Sequence, residues 1–140
     1  MMIPVSSFYI AICALLLVFF SVRVIACRVK HGVAMLDGGV DILARHCRAQ
    51  ANFTEYAPLL LLLIIAAETG ATPVFLLHAM GLGFVIGRIS HFYSLTLREI
   101  TSLANGKLDL RFRQIGMFLT FTSLIVGALS VMYNVISATI

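Results

Sequence analysis

Long apolar runs alternate with short polar segments along this chain. The apolar runs fall at about 6–27, 50–67, 74–97 and 114–137. A helix needs about 20 consecutive apolar residues to cross roughly 30 Å of hydrocarbon, and each run is close to that length. The pattern therefore predicts four transmembrane helices in an all-α integral membrane protein that folds as a four-helix bundle.

The composition supports this prediction and leaves no room for a second domain. Of the 140 residues, 61% are hydrophobic and only 11% are charged, a bias that soluble domains do not show. We therefore assign 1–140 to a single transmembrane domain. The first apolar run has no positively charged segment before it and is longer than the apolar part of a signal peptide, so we predict a retained helix.

Basic residues are distributed unevenly between the predicted helices. All ten Lys and Arg lie in or beside the connections around 28–48 and 98–113, or in the helix ends that enter them. Connections rich in Lys and Arg stay in the cytoplasm, so we expect these two to be cytoplasmic and both termini to face outward. The expected location is a bacterial inner membrane, or an ER-type membrane if the source is eukaryotic.

The second apolar run begins with polar side chains that share one helical face. Arg45, Arg48, Asn52 and Glu55 recur at steps of three or four residues, and Tyr56 follows Asn52 by four. An unpaired carboxylate in hydrocarbon costs several kcal/mol, so Glu55 needs a partner. The spacing predicts a polar site near the cytoplasmic end of the bundle.

The third helix offers basic partners for this polar face. Arg88 and His91 lie one turn apart, and Arg88 stands inside an apolar run. An intramembrane ion pair between Arg88 and Glu55 is one interpretation, with His91 as a packing residue. A bound ligand is the other: guanidinium groups bind carboxylates through paired hydrogen bonds, so an excess of cations suits a small polar anion.

Small residues in the third run indicate close helix packing. Ala79, Gly83 and Gly87 repeat at four-residue spacing, which makes a ridge that lets a second helix approach. Pro73 suits the start of the same helix, where its missing N–H is harmless.

Other kinds of site find little support in the sequence. Cys13, Cys27 and Cys47 are odd in number and widely spaced, so we predict neither a disulfide framework nor a thiolate metal site. We expect no metal. Nucleic acid is not an expected partner, because the basic residues sit in short connections between spans.

The segment RAQANFTEYAPL, residues 48–59, closely resembles the motif of the MAPEG family, the membrane-associated proteins in eicosanoid and glutathione metabolism. The resemblance extends over the whole chain, with four spans and an arginine within the third. The chain is similar to the leukotriene synthase and microsomal glutathione transferase branches of the family, and its short connections resemble those of bacterial members.

This resemblance implies a homotrimer of four-helix bundles, with glutathione sites between neighbouring subunits near the cytoplasmic face. Matching the motif residue by residue gives the implied glutathione contacts of the second helix: Arg48, Gln50, Asn52, Glu55 and Tyr56. VIACR, residues 24–28, resembles the end of the family's first helix, and GRISH, residues 87–91, resembles its third-helix segment. The further contacts implied are Arg28, Arg88, His91 and Tyr93.

The start of the last helix resembles the place where family transferases keep an activating arginine. The match gives Arg113, with Arg111 as the alternative if the register differs by two. A free thiol has a pKa of about 8.5, and a nearby guanidinium favours the thiolate. The implied activity is that of a glutathione S-transferase, with or without glutathione peroxidase activity. Its co-substrate glutathione would attack a lipophilic electrophile or lipid hydroperoxide from the membrane lipid.

Two positions depart from the leukotriene synthase pattern. His91 and Leu95 stand where those enzymes have tyrosines, so the sequence does not favour a leukotriene substrate. The alternative function is that of a non-catalytic lipid-binding or scaffold protein with the same fold. A small transporter or channel is less favoured, because the four predicted helices show no inverted repeat.

Overall fold

Four long helical stretches make up most of the structure. The computed structural model describes residues 3–139, with helices α1 (Pro4–His31), α2 (Asp41–Thr69), α3 (Val74–Tyr93), α4 (Glu99–Ala104) and α5 (Arg111–Thr139). A π-helical turn, Ser94–Arg98, joins α3 to α4 without a break. α1, α2, α5 and the continuous stretch Val74–Ala104 are each long and apolar enough to cross a membrane. No strand occurs within residues 3–139, and the predicted all-α transmembrane architecture is confirmed.

The helices extend beyond the apolar runs that predicted them, because polar residues stabilise their ends. α1 continues to His31 and is capped by Gly32, whose φ of 66° suits a residue without a side chain. α2 begins at Asp41, well before the apolar run at 50. The carboxylate of Asp41 favours a helix start and pairs with Arg45 one turn later, at 2.7 Å.

Neighbouring spans run in opposite directions, so the polar residues gather at the two ends of the bundle. One end contains the last residues of α1 and the first residues of α2 and α5, and we call it the basic end. At the opposite end, Glu68 of α2 caps α1: its carboxylate accepts from the backbone N–H of Val5 at 2.9 Å, from that of Ser6 at 2.7 Å, and from the Ser6 hydroxyl. These N–H groups have no partner within α1, so Glu68 satisfies them and fixes α1 against α2.

Aromatic side chains fill the core between α1, α2 and α3. Phe20 of α1 stacks on Phe92 with ring centroids 4.7 Å apart, and it meets Phe53 of α2 edge-on at 5.3 Å. Phe84 of α3 lies 6.0 Å from Phe53. Helix association in hydrocarbon depends on close packing rather than on water release, so these rings hold the three helices together.

The ridge of small residues faces α5. A Cβ atom added to Gly87 would lie 2.9 Å from the carbonyl oxygen of Gly116, and one added to Gly116 would lie 2.7 Å from that of Gly87. A Cβ atom at Gly83 would meet the hydroxyl of Ser123 at 2.9 Å. The backbones of α3 and α5 therefore touch, as the small-residue spacing predicts.

Asp109 fixes the start of α5. Its carboxylate accepts from the backbone N–H of Arg111 at 3.1 Å and from Nε of Arg98 at 2.9 Å, while its own N–H donates to Ser102 at 3.1 Å. The Arg111 N–H first, and then Arg98, lower the pKa of Asp109 below its usual value. The carboxylate stays charged and caps the first turn of α5. It therefore fixes the start of the helix that carries Arg113.

We expect Gly87→Ala to destabilise the bundle by about 1–3 kcal/mol, because the new methyl group would force two backbones apart. Unfolding in detergent micelles measures this effect. The matched control is Gly83→Ala, whose methyl group meets only a side chain that can rotate and gains roughly 1 kcal/mol of helix propensity. Wild-type stability in Gly87→Ala would contradict the contact between α3 and α5.

Candidate functional site

The polar face of α2 divides into an inner and an outer part. Asn52 is buried and points into the bundle, whereas the Arg48 and Glu55 side chains are about half exposed. Arg48 Nη1 lies 3.1 Å from Glu55 Oε1. The ion pair between Arg88 and Glu55, one of the two interpretations of the sequence, does not form in the structure. Arg48 can reach Glu55 along its own helix, while Arg88 turns inward to Asn52.

Arg88 is the most deeply buried charge in the described chain, with 2% of its surface exposed. Its guanidinium donates to Asn52 Oδ1 of α2, and to the Gly116 carbonyl at 3.2 Å and the Thr120 hydroxyl of α5. Its Cζ lies 5.4 Å from the centroid of the Tyr56 ring. No carboxylate lies within 4 Å of it among residues 3–139, so neutral oxygens and a ring face stabilise this cation. Arg88 therefore links three helices.

His91 and Tyr93 occupy different surroundings on α3. His91 is 3% exposed, its Nδ1 has no hydrogen-bond partner within the described residues, and it packs against Gly116 of α5, whose carbonyl binds Arg88. Tyr93 is exposed, and its ring packs edge-on against Phe112 at 5.1 Å. The structure thus buries His91 between α3 and α5 and places Tyr93 on the outer surface of the bundle.

A groove at the basic end brings together Arg28 of α1 and Arg48 of α2. Its volume is about 390 Å³, and Asp37, Cys47 and Ala51 also line it. One guanidinium nitrogen of Arg28 lies 3.7 Å from the sulfur of Cys47, while the other, Nη1, is buried without a hydrogen-bond partner in the described structure. Arg28 therefore keeps an unused donor beside the groove.

Two other polar residues of α2, Gln50 and His46, make hydrogen-bond contacts inside the bundle. Gln50 Nε2 donates to the hydroxyl of Ser21 at 2.7 Å, so Gln50 joins α1 to α2 and does not line the groove of Arg28 and Arg48. His46 is 4% exposed, and its Nδ1 lies 2.8 Å from the carbonyl oxygen of Ile42. Of these two contacts, the Gln50 bond joins two helices, whereas the His46 contact lies within α2.

Glu99 is a residue that the sequence analysis missed. It is 4% exposed, and its carboxylate accepts from Arg45 Nη1 at 3.1 Å and from the Ser94 hydroxyl at 3.1 Å. The same oxygen that binds Arg45 lies 3.9 Å from Arg113 Nη1. Glu99 therefore connects Arg45 of α2 with Arg113 of α5.

The π-helical turn explains why Glu99 points inward. Ser94 and Glu99 are five residues apart, a spacing that an α-helix places on different faces and that one π-helical turn brings together. Such turns often occur at functional sites. A sequence signal existed, since Glu99 is the acidic residue beside Arg98 in a cationic segment, but its burial depends on the turn.

Arg111 and Arg113 leave the first turn of α5 in different directions. Arg111 is exposed and lines a groove of about 630 Å³ together with Arg98, Lys107 and Gln114. It forms no ion pair within the part of the chain that the structure describes. Of these two arginines, only Arg113 approaches Glu99, with its Nη1 3.9 Å from Glu99 Oε2.

Comparison with known proteins bears on what this cluster of cations does. The model of the MAPEG family matches residues 6–133. The chain belongs to the MAPEG family. Two relatives, the inner membrane protein YecN of Escherichia coli strain K12 and that of Escherichia coli O6:H1 strain CFT073, are each 30% identical to it over 126 residues. The match covers 90% of this chain and 88% of each relative.

Membership of the MAPEG family identifies a membrane protein of glutathione or lipid metabolism. The family includes glutathione transferases, while the two relatives are named only as inner membrane proteins. No group of three His, Cys, Asp or Glu side chains within residues 3–139 could hold a metal ion.

We expect Asn52→Ala to lower the free energy of unfolding by about 1.5–3 kcal/mol, the usual value of a hydrogen bond to a charged group, because it leaves buried Arg88 without its partner on α2. Gln50→Ala is the control, since it removes an amide on the same helix that bonds a neutral hydroxyl and should cost only about 1 kcal/mol. Denaturant unfolding in detergent compares the two. If both variants lose the same stability, Asn52 does not serve the charge of Arg88.

Proposed function

We propose that this MAPEG protein is a membrane-embedded glutathione transferase that can also reduce hydroperoxides. The observation that carries the proposal is that arginines at two places on the basic end keep guanidinium N–H groups without a hydrogen-bond partner within the described residues. Arg28 and Arg48 border a groove beside Glu55, and Arg113 lies at the start of α5 with 43% of its side chain exposed.

The groove suits the charged groups of glutathione. Its volume of about 390 Å³ falls within the range of roughly 300–1,000 Å³ that small-molecule sites occupy. The exposed guanidinium of Arg48 can bind one carboxylate, and Arg28 can bind the other once its side chain turns the buried Nη1 toward the groove. Glu55 can bind the ammonium group, because it is half exposed and its pair with Arg48 is screened by solvent.

Arg113 would stabilise the thiolate of the bound tripeptide. A guanidinium stays protonated at neutral pH, so it remains charged and acts by electrostatic attraction rather than as a base. Each unit by which it lowers the pKa of the thiol is worth about 1.4 kcal/mol. Glutathione supplies the nucleophilic sulfur, and the protein supplies the positive charge beside it.

The second substrate would reach the site from the membrane. When the thiolate attacks an electrophilic carbon, a carbon–sulfur bond forms and the leaving group departs with its electron pair. With a hydroperoxide, attack on the terminal oxygen breaks the O–O bond and gives an alcohol and a glutathione sulfenic acid. A second glutathione then converts the sulfenic acid to the disulfide and water.

A homotrimer would complete the site. Arg113 does not line the groove of Arg28 and Arg48, so the binding part and the activating part do not share one groove of a single chain. α1 and α5 also expose large apolar side chains along their lengths, Phe19 and Phe118 among them. We propose that a neighbouring copy covers part of this surface and supplies the missing arginine.

The proposed setting is a bacterial inner membrane, with both termini outward and the site near the cytoplasmic face. The charge distribution supports this orientation, since the basic end carries the arginines of all four spans. The name of the relatives, inner membrane protein, supports the location.

Purified protein with glutathione should show the ultraviolet absorbance of a thiolate at neutral pH, and Arg113→Ala should abolish it by removing the adjacent positive charge. Arg111→Ala is the matched variant, because it removes the same charge two residues away. Loss of the signal in Arg111→Ala alone would transfer the activating role to Arg111. Glutathione binding without a thiolate signal in the wild type would favour the non-catalytic lipid-binding protein.

Arg48→Ala should weaken glutathione binding about 10- to 100-fold, as expected for the loss of about 1.5–3 kcal/mol in charged hydrogen bonds. Isothermal titration of the detergent-solubilised protein measures the affinity. Lys30→Ala is the control: Lys30 is an exposed cation near Arg28 that does not line the groove, and its loss should change the affinity less than twofold. Unchanged binding in Arg48→Ala would exclude this groove.

A further inference from the structure

A buried carboxylate lies behind the arginine that would activate glutathione. Glu99 is 4% exposed and receives hydrogen bonds from Arg45 and Ser94, both at 3.1 Å. Arg45 is itself held by Asp41 at 2.7 Å. Both oxygens of the Glu99 carboxylate are therefore held by hydrogen bonds, and the Arg45 partner is fixed by Asp41, which makes Glu99 an anchor.

Arg113 is bound to this anchor by one nitrogen only. Its Nη1 lies 3.9 Å from Glu99 Oε2, and its guanidinium makes no hydrogen bond within 3.5 Å to any residue in the described range 3–139. With 43% of the side chain exposed, the guanidinium would otherwise sample many rotamers. A single weak contact leaves Nε and Nη2 free to bind a substrate.

We propose that Glu99 is the positioning residue for Arg113: it holds the guanidinium at the start of α5 so that its free N–H groups face the thiol of the substrate. This inference rests on the proposed glutathione-dependent function. An arginine that is already in place stabilises a developing charge without the cost of reorganisation. Glu99 does not touch the substrate and acts only through Arg113.

The surrounding charges determine the sign of the effect. Glu99 accepts from Arg45 and lies beside Arg113, while Arg45 also pairs with Asp41 at 2.7 Å. These two carboxylates and two guanidiniums balance in charge. α3 contributes Arg88 and His91, which both lie against Gly116 of α5. The charge of Glu99 itself repels a thiolate, so Glu99 can favour the thiolate only by fixing the position of Arg113.

The position of Arg113 can be tested without glutathione. Phenylglyoxal modifies accessible arginines, and mass spectrometry of peptides reports the rate at each site. In Glu99→Gln, which keeps the shape and removes the charge, Arg113 should react several-fold faster than in the wild type, while Arg111 reacts at its original rate. Equal rates at Arg113 in both proteins would overturn the tether, whatever the protein catalyses.

The role of Glu99 in the chemistry is tested by titrating the thiolate absorbance of bound glutathione. Glu99→Gln should raise the pKa of the bound thiol by about one unit, which lowers the thiolate fraction below that pKa about tenfold. kcat should fall with little change in KM for glutathione. A thiol pKa that is unchanged or lower in Glu99→Gln would overturn the positioning role, since a lower value would mean that Glu99 only repels the thiolate.

Two further variants separate this inference from a failure of folding or of the proposed function. Glu68→Gln removes an equal charge at the opposite end of the bundle and keeps an oxygen that can cap α1, so it should leave the thiol pKa unchanged. Glu99→Asp replaces Glu99→Gln as the test if Glu99→Gln does not fold. It keeps the charge on a shorter side chain and should retain part of the thiolate signal. Absence of a thiolate in the wild type overturns the proposed function, and the phenylglyoxal rates then decide the tether alone.

Discussion

The guanidinium of Arg88 is buried at a level where hydrocarbon would make a charge costly, and groups on two other membrane helices stabilise it. Asn52 comes from α2, while the carbonyl of Gly116 and the hydroxyl of Thr120 come from α5. A buried charge without partners costs many kcal/mol, so α2, α3 and α5 have to meet at this level. This requirement sets the relative heights of the helices at the basic end.

The close approach of α3 and α5 is what makes this arrangement possible. The Gly116 carbonyl can reach Arg88 because Gly87 and Gly116 carry no side chains where the two backbones meet. Asn52 binds Arg88 inside the bundle, and the charged residues Arg48 and Glu55 lie on another side of α2. Arg48 and Glu55 therefore face the outer surface, where an aqueous substrate can reach them, and the inner and outer polar groups are separated.

A second buried charge complements the first in the π-helical turn and α4. Glu99 draws Arg45 and Arg113 toward one point, whereas Arg88 has only neutral partners. The basic end thus combines a cation satisfied by neutral oxygens with an anion shared by two cations. An excess of positive charge remains at the surface of a membrane bundle, a setting in which a small anionic thiol and a lipid-soluble substrate can meet.

The sequence by itself determined the four membrane helices, because the cost of exposing backbone and polar groups to lipid makes long apolar runs unambiguous. It also determined the MAPEG membership through the motif at 48–59, and the small-residue contact of α3. Only the tertiary structure decided the pairings. By spacing alone, Glu55 could pair with either Arg88 or Arg48, and the pair that forms depends on how α2 packs against α3. Glu99 looked like part of a solvated connection, and one π-helical turn buried it, because side-chain direction there depends on a local change of helical pitch that the order of residues does not reveal.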